Sequence, residues 1–224
     1  MIRISSVSSF FKRCPSDLCR ALWFFADPGM IAMYALLIAV PMWAGKASAR
    51  LAPWEQKAAN WFLLNGAVFH FFMDGLCGTF GYGGQLAIDY HKLDSRFAHG
   101  DPYLKVVTGM ELFLYTPLCF LAYRAIVRGL PSRGPLVIIT SVCHLFGLFV
   151  FAGGELVQGC AHIPATDSVG PPCFSNIKWP PTENQFTFFW FGFVLCNIPW
   201  VVVPIRLTLG AYDDIVAAGK AKSS

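Results

Sequence analysis

Five stretches of this chain run for about 20 mostly apolar residues, the length an α-helix needs to cross a bilayer. They extend from Met30 to about Ala47, from about Lys57 to Phe80, from Lys105 to about Val127, from Pro135 to Val157 and from Asn184 to Leu209. None shows a period of two, and short, evenly spaced strands are absent. Helices, whose backbone groups are satisfied within each segment, are therefore favoured over a closed barrel. The expected architecture is an all-α membrane protein. A bundle of five transmembrane helices spans residues 30–209, between an interfacial N-terminal segment (1–29) and a cytosolic tail (210–224).

Composition agrees with a lipid-facing surface. Of 224 residues, 55% are hydrophobic and only 13% charged, against about a quarter charged in soluble domains. The net charge of +4 comes from short basic clusters beside apolar runs. Nucleic acid is thus not an expected partner; the lipid bilayer is. Residues 1–29 carry Arg3, Lys12, Arg13 and Arg20 around a short, interrupted apolar stretch, which does not fit a cleaved signal peptide.

Charge also orients the bundle. Lys46, Arg50 and Lys57 outnumber Glu55 in one short loop, and Arg124, Arg128 and Arg133 stand without an acid in another. Both loops are expected in the cytosol by the positive-inside rule. The long connections, 81–104 and the Pro-rich 158–183, then face the opposite side, and the C-terminus returns to the cytosol. The basic N-terminal segment is the one vote against. The ending Lys220-Ala221-Lys222-Ser223-Ser224 resembles a Lys-x-Lys-x-x retrieval signal, so the endoplasmic reticulum membrane is the expected location. Cys160 and Cys173 share the Pro-rich loop, where an oxidising lumen would let them pair. Cys77, Cys119, Cys143 and Cys196 fall within helices, where cysteine acts as a small apolar residue. Without Cys-x-x-Cys or His-x-x-x-His spacing, no metal site is expected.

Ionisable side chains at a helix centre cost about 2.5–3.5 kcal/mol on insertion scales, so each demands a reason. His70 and Asp74 stand at i,i+4 on one face of the second helix, where the carboxylate can orient the imidazole. Glu111 lies about two turns into the third helix, and Asn197 and Trp200 share a face of the fifth. His144 sits near the middle of the fourth helix, and Glu155 near its end is expected at the interface. Each alone reads equally well as interhelical packing glue. Taken together they would make a polar pocket inside an apolar bundle, suited to proton chemistry on an apolar substrate.

Several motifs sharpen this. Trp61-Phe62, Gly66, Phe69-His70 and Asp74-Gly75 resemble the second helix of the emopamil-binding protein family. Tyr90-His91-Lys92-Leu93-Asp94-Ser95-Arg96-Phe97 is similar to its Glu-Tyr-x-Lys-x-Asp-Ser-Arg-Tyr stretch. Met110-Glu111 with Pro117-Leu118, Ser141-Val142-Cys143-His144-Leu145-Phe146-Gly147, and Asn197-Ile198-Pro199-Trp200 through Pro204 follow in the family's order. The resemblance covers about residues 54–208.

It implies a five-helix sterol Δ8–Δ7 isomerase of the endoplasmic reticulum that needs no cofactor. An acid would protonate the ring alkene, giving a tertiary carbocation, and a base would remove a proton on the other side. By the same resemblance His70, Asp74 and Glu111 carry the protons, Asn197 positions a polar partner and the Trp200 face stabilises the cation. Met110, Phe97, Tyr115 and His144 would contact substrate, and Asp94 and Arg96 would be structural. Cationic amphiphilic amines would mimic the cation and inhibit, and a homodimer is compatible. Departures stand out: Asp74 replaces a Glu, Leu112, Phe113 and Leu114 replace Thr-containing sequence, Phe97 replaces Tyr and His144 replaces Gln. They keep two alternatives open: a non-catalytic sterol- or lipid-binding member, and a terpenoid cyclase or isomerase of secondary metabolism.

Overall fold

The computed structural model describes residues 27–48, 50–163, 177–183 and 185–223. Helix α1 spans Pro28–Ser48. Its start is set by Asp27, whose Oδ1 accepts from the backbone of Gly29 at 2.9 Å and of Met30 at 3.1 Å, an N-cap followed by proline at N1. Helix α2, Pro53–Leu64, continues without a break into a π-helical segment, Asn65–Thr79. Two short helices follow, α3 (Gln85–Leu93) and α4 (Ser95–His99). Helix α5, Pro102–Met110, passes through one π-helical turn, Glu111–Tyr115, into α6, Thr116–Val127. Helix α7 covers Arg133–Val157. A last π-helical segment, Gln185–Val194, and a 3₁₀ turn, Leu195–Asn197, lead into α8, Ile198–Ser223.

Four helical stretches are long and apolar enough to cross a membrane: Pro28–Ala47, Pro102–Val127, Arg133–Val157 and Gln185–Lys220. The stretch formed by α2 and its continuation is not one of them, although the sequence predicts a span there. It carries Asn60, Asn65, His70 and Asp74, the polar residues that make it the site helix. Its faces are protected by protein, with Ala58, Ala59, Phe62, Leu63 and Val68 all buried. Small residues let its neighbours close in: Ala44, Ala58, Ala59, Cys119 and Ala122 form one cluster with Phe62, the pattern by which membrane helices gain contact without a hydrophobic drive. A methyl added at Gly66 would come within 2.9 Å of Cys119 Cβ. Helix α8 runs on through residue 209, where a cytosolic tail was expected to begin.

The first long connection is ordered by its glycines. Gly81, Gly83 and Gly84 all take positive φ, which side chains resist, and a Cβ on Gly83 would lie 2.6 Å from Cys77 Sγ. Asp27 Oδ2 accepts from the Gln85 backbone at 3.1 Å and so ties the start of α1 to α3. Beyond it the chain builds a buried ion network. Arg96 gives NH2 to Asp94 at 2.6 Å and sets NH1 3.1 Å from Glu155, with all three side chains nearly inaccessible. Glu155 also receives the His162 backbone at 3.2 Å and ring Nδ1 at 2.9 Å. The expectation of an interfacial Glu155 is thus corrected: α3 and α4 fold back over that end of α7 and deliver a guanidinium to it. Cys160 is fully buried and disulfide-bonded; Cys173, its expected partner, lies outside the described residues, as do residues 1–26.

Candidate active site

Between the α2 continuation, α3, the α5–α6 helix, α7 and the last span lies a cavity of about 620 Å³ with a mostly apolar wall. His70, Asp74, Glu111, Asn197 and Trp200 all border it, as do Phe97, Tyr115 and His144. Met110 does not: one position before Glu111, it points around the helix to the outside and is 37% exposed. Its expected contact with substrate is therefore corrected.

The acids and the imidazoles form one connected cluster. His70 Nδ1 lies 3.5 Å from Asp74 Oδ2. The other nitrogen of His70, Nε2, lies 3.1 Å from Nε2 of His144, and His144 Nε2 is in turn 3.3 Å from Cys119 Sγ. One side-chain ligand atom from each of His70, Asp74 and Glu111 falls within 4.8 Å of the others. This convergence depends on helix geometry that the spacing alone did not announce. His70 and Asp74 sit in π-helical backbone, and Glu111 opens the π-helical turn of its own helix. Wider turns of this kind recur at functional sites. Thr79 Oγ1 donates to the Asp74 carbonyl and Thr116 Oγ1 to the Glu111 carbonyl, each at 3.0 Å and five residues back. Both hydroxyls satisfy carbonyls next to the acids they serve.

Tyr90 is the partner that the residue pattern of the spans did not reveal. From α3, outside the spans, its hydroxyl donates to Asp74 Oδ1 at 2.9 Å. Burial, and then the Asp74 carboxylate, push the phenol well above its ordinary pKa, so it stays a donor. Asp74 is thus held by a hydrogen bond on one side and faces an imidazole nitrogen 3.5 Å away on the other. The Glu111 carboxylate, half-buried, has no hydrogen bond or ion pair among the described residues. It is the freer acid of the two.

The aromatic wall is equally specific. Trp200 meets Phe69 edge-on at 4.7 Å and 87°, and Trp61 at 5.4 Å and 59°. Two neighbours hold the indole in place while it still borders the cavity. Asn197 turns back on its own helix, its Nδ2 donating to the Phe193 carbonyl at 2.6 Å. Its oxygen and its second N–H are left to face a ligand. Gly147 makes room for Tyr115: a methyl there would lie 3.0 Å from the ring. Also lining the cavity, Asp89 Oδ1 accepts from Gln85 Nε2 and from Lys92 Nζ, each at 3.0 Å.

An apolar cavity with two acids, a histidine pair and a fixed indole fits one class of protein. Residues 83–211 match the family described as EXPERA, the expanded EBP superfamily, and the chain belongs to that family. It is 24% identical over 198 residues to a guinea-pig (Cavia porcellus) protein named 3-beta-hydroxysteroid-Delta(8),Delta(7)-isomerase, covering 85% of this chain and 78% of that one. The mouse (Mus musculus) protein of the same name is 28% identical over 134 residues, 60% of this chain and 50% of its own length. A rice (Oryza sativa subsp. japonica) protein named a probable isomerase of this kind is 25% identical over 195 residues, 82% of this chain and 78% of its own length. Membrane-length helices and the family match together mark a membrane protein of the EXPERA family.

Proposed function

We propose that this protein moves a ring double bond in a sterol, from Δ8 to Δ7, or in a related polycyclic terpenoid. The observation that carries the reading is the convergence of His70, Asp74 and Glu111 on one mostly apolar cavity bordered by Trp200. The reaction needs an acid to protonate the alkene, a wall that tolerates a tertiary carbocation, and a base to take a proton from the neighbouring carbon. Glu111, whose carboxylate has no hydrogen bond or ion pair among the described residues, is the mobile proton carrier. Asp74, held by Tyr90 and facing His70 Nδ1, orients the imidazole and balances its charge when it is protonated. The fixed face of Trp200 supports the cation, an attraction of about 2 kcal/mol when desolvated.

The same reading makes tertiary ammonium amphiphiles inhibitors, because they present a positive charge where the carbocation forms. It places five helices across the endoplasmic reticulum membrane, with the α2 stretch as the fifth span and the C-terminus in the cytosol. The domain limits follow: an interfacial segment to residue 29, the membrane domain over 30–209 and a tail over 210–224.

Expression in cells lacking Δ8–Δ7 isomerase tests the assignment, with sterols profiled by mass. Appearance of the Δ7 sterol supports it; persistence of the Δ8 sterol despite full expression rejects the sterol substrate. Uptake of labelled sterol without turnover would favour a binding protein.

A further inference from the structure

His70, His144 and Cys119 aim three ligand atoms at one another in a place almost inaccessible to solvent, with exposures of 3%, 2% and 0%. The separations are 3.1 Å between the two Nε2 atoms and 3.3 Å from His144 Nε2 to Cys119 Sγ, and all three atoms lie within 4.8 Å of each other. Around a tetrahedral zinc ion, bonds of about 2.0–2.1 Å to nitrogen and about 2.3 Å to sulfur put neighbouring ligand atoms about 3.3–3.6 Å apart. Those two separations need to widen by only a few tenths of an ångström to reach that spacing, and the third pair lies within 4.8 Å.

We propose that His70, His144 and Cys119 form a three-ligand site for Zn²⁺, and that filling it withdraws His70 from proton transfer. Two imidazoles and a thiolate suit a borderline-soft cation and disfavour Mg²⁺ or Ca²⁺. Asp74, 3.5 Å from His70 Nδ1, supplies the carboxylate that orients a metal-bound histidine from behind. Charge closes as well. A divalent ion, the Cys119 thiolate and the Asp74 carboxylate sum to zero, which matters where an unbalanced charge is costly. Binding breaks the Cys119 S–H bond, the sulfur pair goes to zinc and the proton leaves to solvent. His70 and His144 border the cavity, which gives the ion its route in and leaves room for a fourth ligand.

Metal binding stands apart from the proposed function; only its inhibitory consequence rests on that reading. The test uses the full chain purified in detergent and titrated with Co²⁺ as an optical stand-in for Zn²⁺. A thiolate-to-cobalt absorption band is expected, displaced by Zn²⁺. Cys119→Ala and Cys119→Ser should abolish it, while Cys143→Ser and Cys196→Ser should keep it. Asp74→Asn should weaken affinity by about 10–100-fold, as loss of a carboxylate behind a ligand does. No band, or a band that survives both Cys119 variants, overturns the site. In the activity arm, Zn²⁺ should slow wild-type turnover and leave Cys119→Ala, compared with its own metal-free rate, unslowed. Equal inhibition of the two would overturn the link to His70, whereas absence of any turnover would count against the isomerase reading and leave the optical result intact.

Discussion

Tyr90 and Asp74 are joined by a 2.9 Å hydrogen bond in which the phenol, carried on α3, donates to the carboxylate on the α2 continuation. A short helix that follows the site helix thereby fixes an acid on it. Tyr90→Phe removes one bond to a charged group, worth about 1.5–3 kcal/mol. Turnover should fall by about tenfold or more, each 1.36 kcal/mol being a factor of ten. In an Asp74→Asn background the same change should add little, because the bond it removes no longer holds a carboxylate. An additive loss would show that Tyr90 acts elsewhere.

The Glu111 carboxylate has no hydrogen bond or ion pair among the described residues, so its replacement by Gln should act on the chemical step and leave substrate affinity nearly intact. General acid–base groups contribute about 10²–10⁴-fold, and a loss of turnover in that range is expected with little change in apparent affinity. Affinity falling in step with turnover would assign Glu111 to binding.

Trp200 is pinned by Phe69 and Trp61, so changing it alters the wall more than the backbone. Trp200→Leu should cost about 2 kcal/mol of cation stabilisation, about 30-fold in turnover. Trp200→Phe should recover part of it. Binding of a tertiary ammonium amphiphile, measured in parallel, should weaken in the same order; unchanged amine binding would separate the indole from the cation.

Arg96 stands between Asp94 and Glu155 with nearly no solvent access. Arg96→Met removes the guanidinium that two buried carboxylates share, and removing one partner of a buried pair costs about 3–5 kcal/mol. A marked fall in thermal stability in detergent is expected. Glu155→Gln together with Arg96→Met should lose less than Arg96→Met alone. Equal losses would mean that the guanidinium's contact with Phe151, 5.2 Å away, carries the effect.

Much of this layout could be read from the residues. Apolar length located four of the five expected spans, because desolvation acts on each helix by itself, but it placed the end of the last one at Leu209 where the apolar helix runs on to Lys220. The i,i+4 spacing of His70 and Asp74 was equally visible. What escaped depends on partners remote in sequence. Tyr90 reaches Asp74, His144 reaches His70 across 74 positions, and Arg96 turns Glu155 from an interfacial residue into a buried one. Met110 was misplaced for a local reason: adjacency to Glu111 on a helix means a different face, not the same one. Asn197 shares a face with Trp200, as spacing suggested, but its amide is spent in part on its own backbone. Nothing in the residue pattern announced the π-helical register of Asn65–Thr79, although Thr79 and Thr116, each five residues after an acid, are its trace.

The most direct measurement follows protons. The purified protein is given a Δ8 sterol in deuterated water, and the product is examined by mass and position of label. The account predicts a Δ7 sterol carrying solvent-derived deuterium at the carbon protonated in the first step, formed at a rate that Glu111→Gln lowers by at least about 10²-fold. A Δ7 product free of deuterium, or one formed as fast by the Glu111→Gln protein, would contradict it.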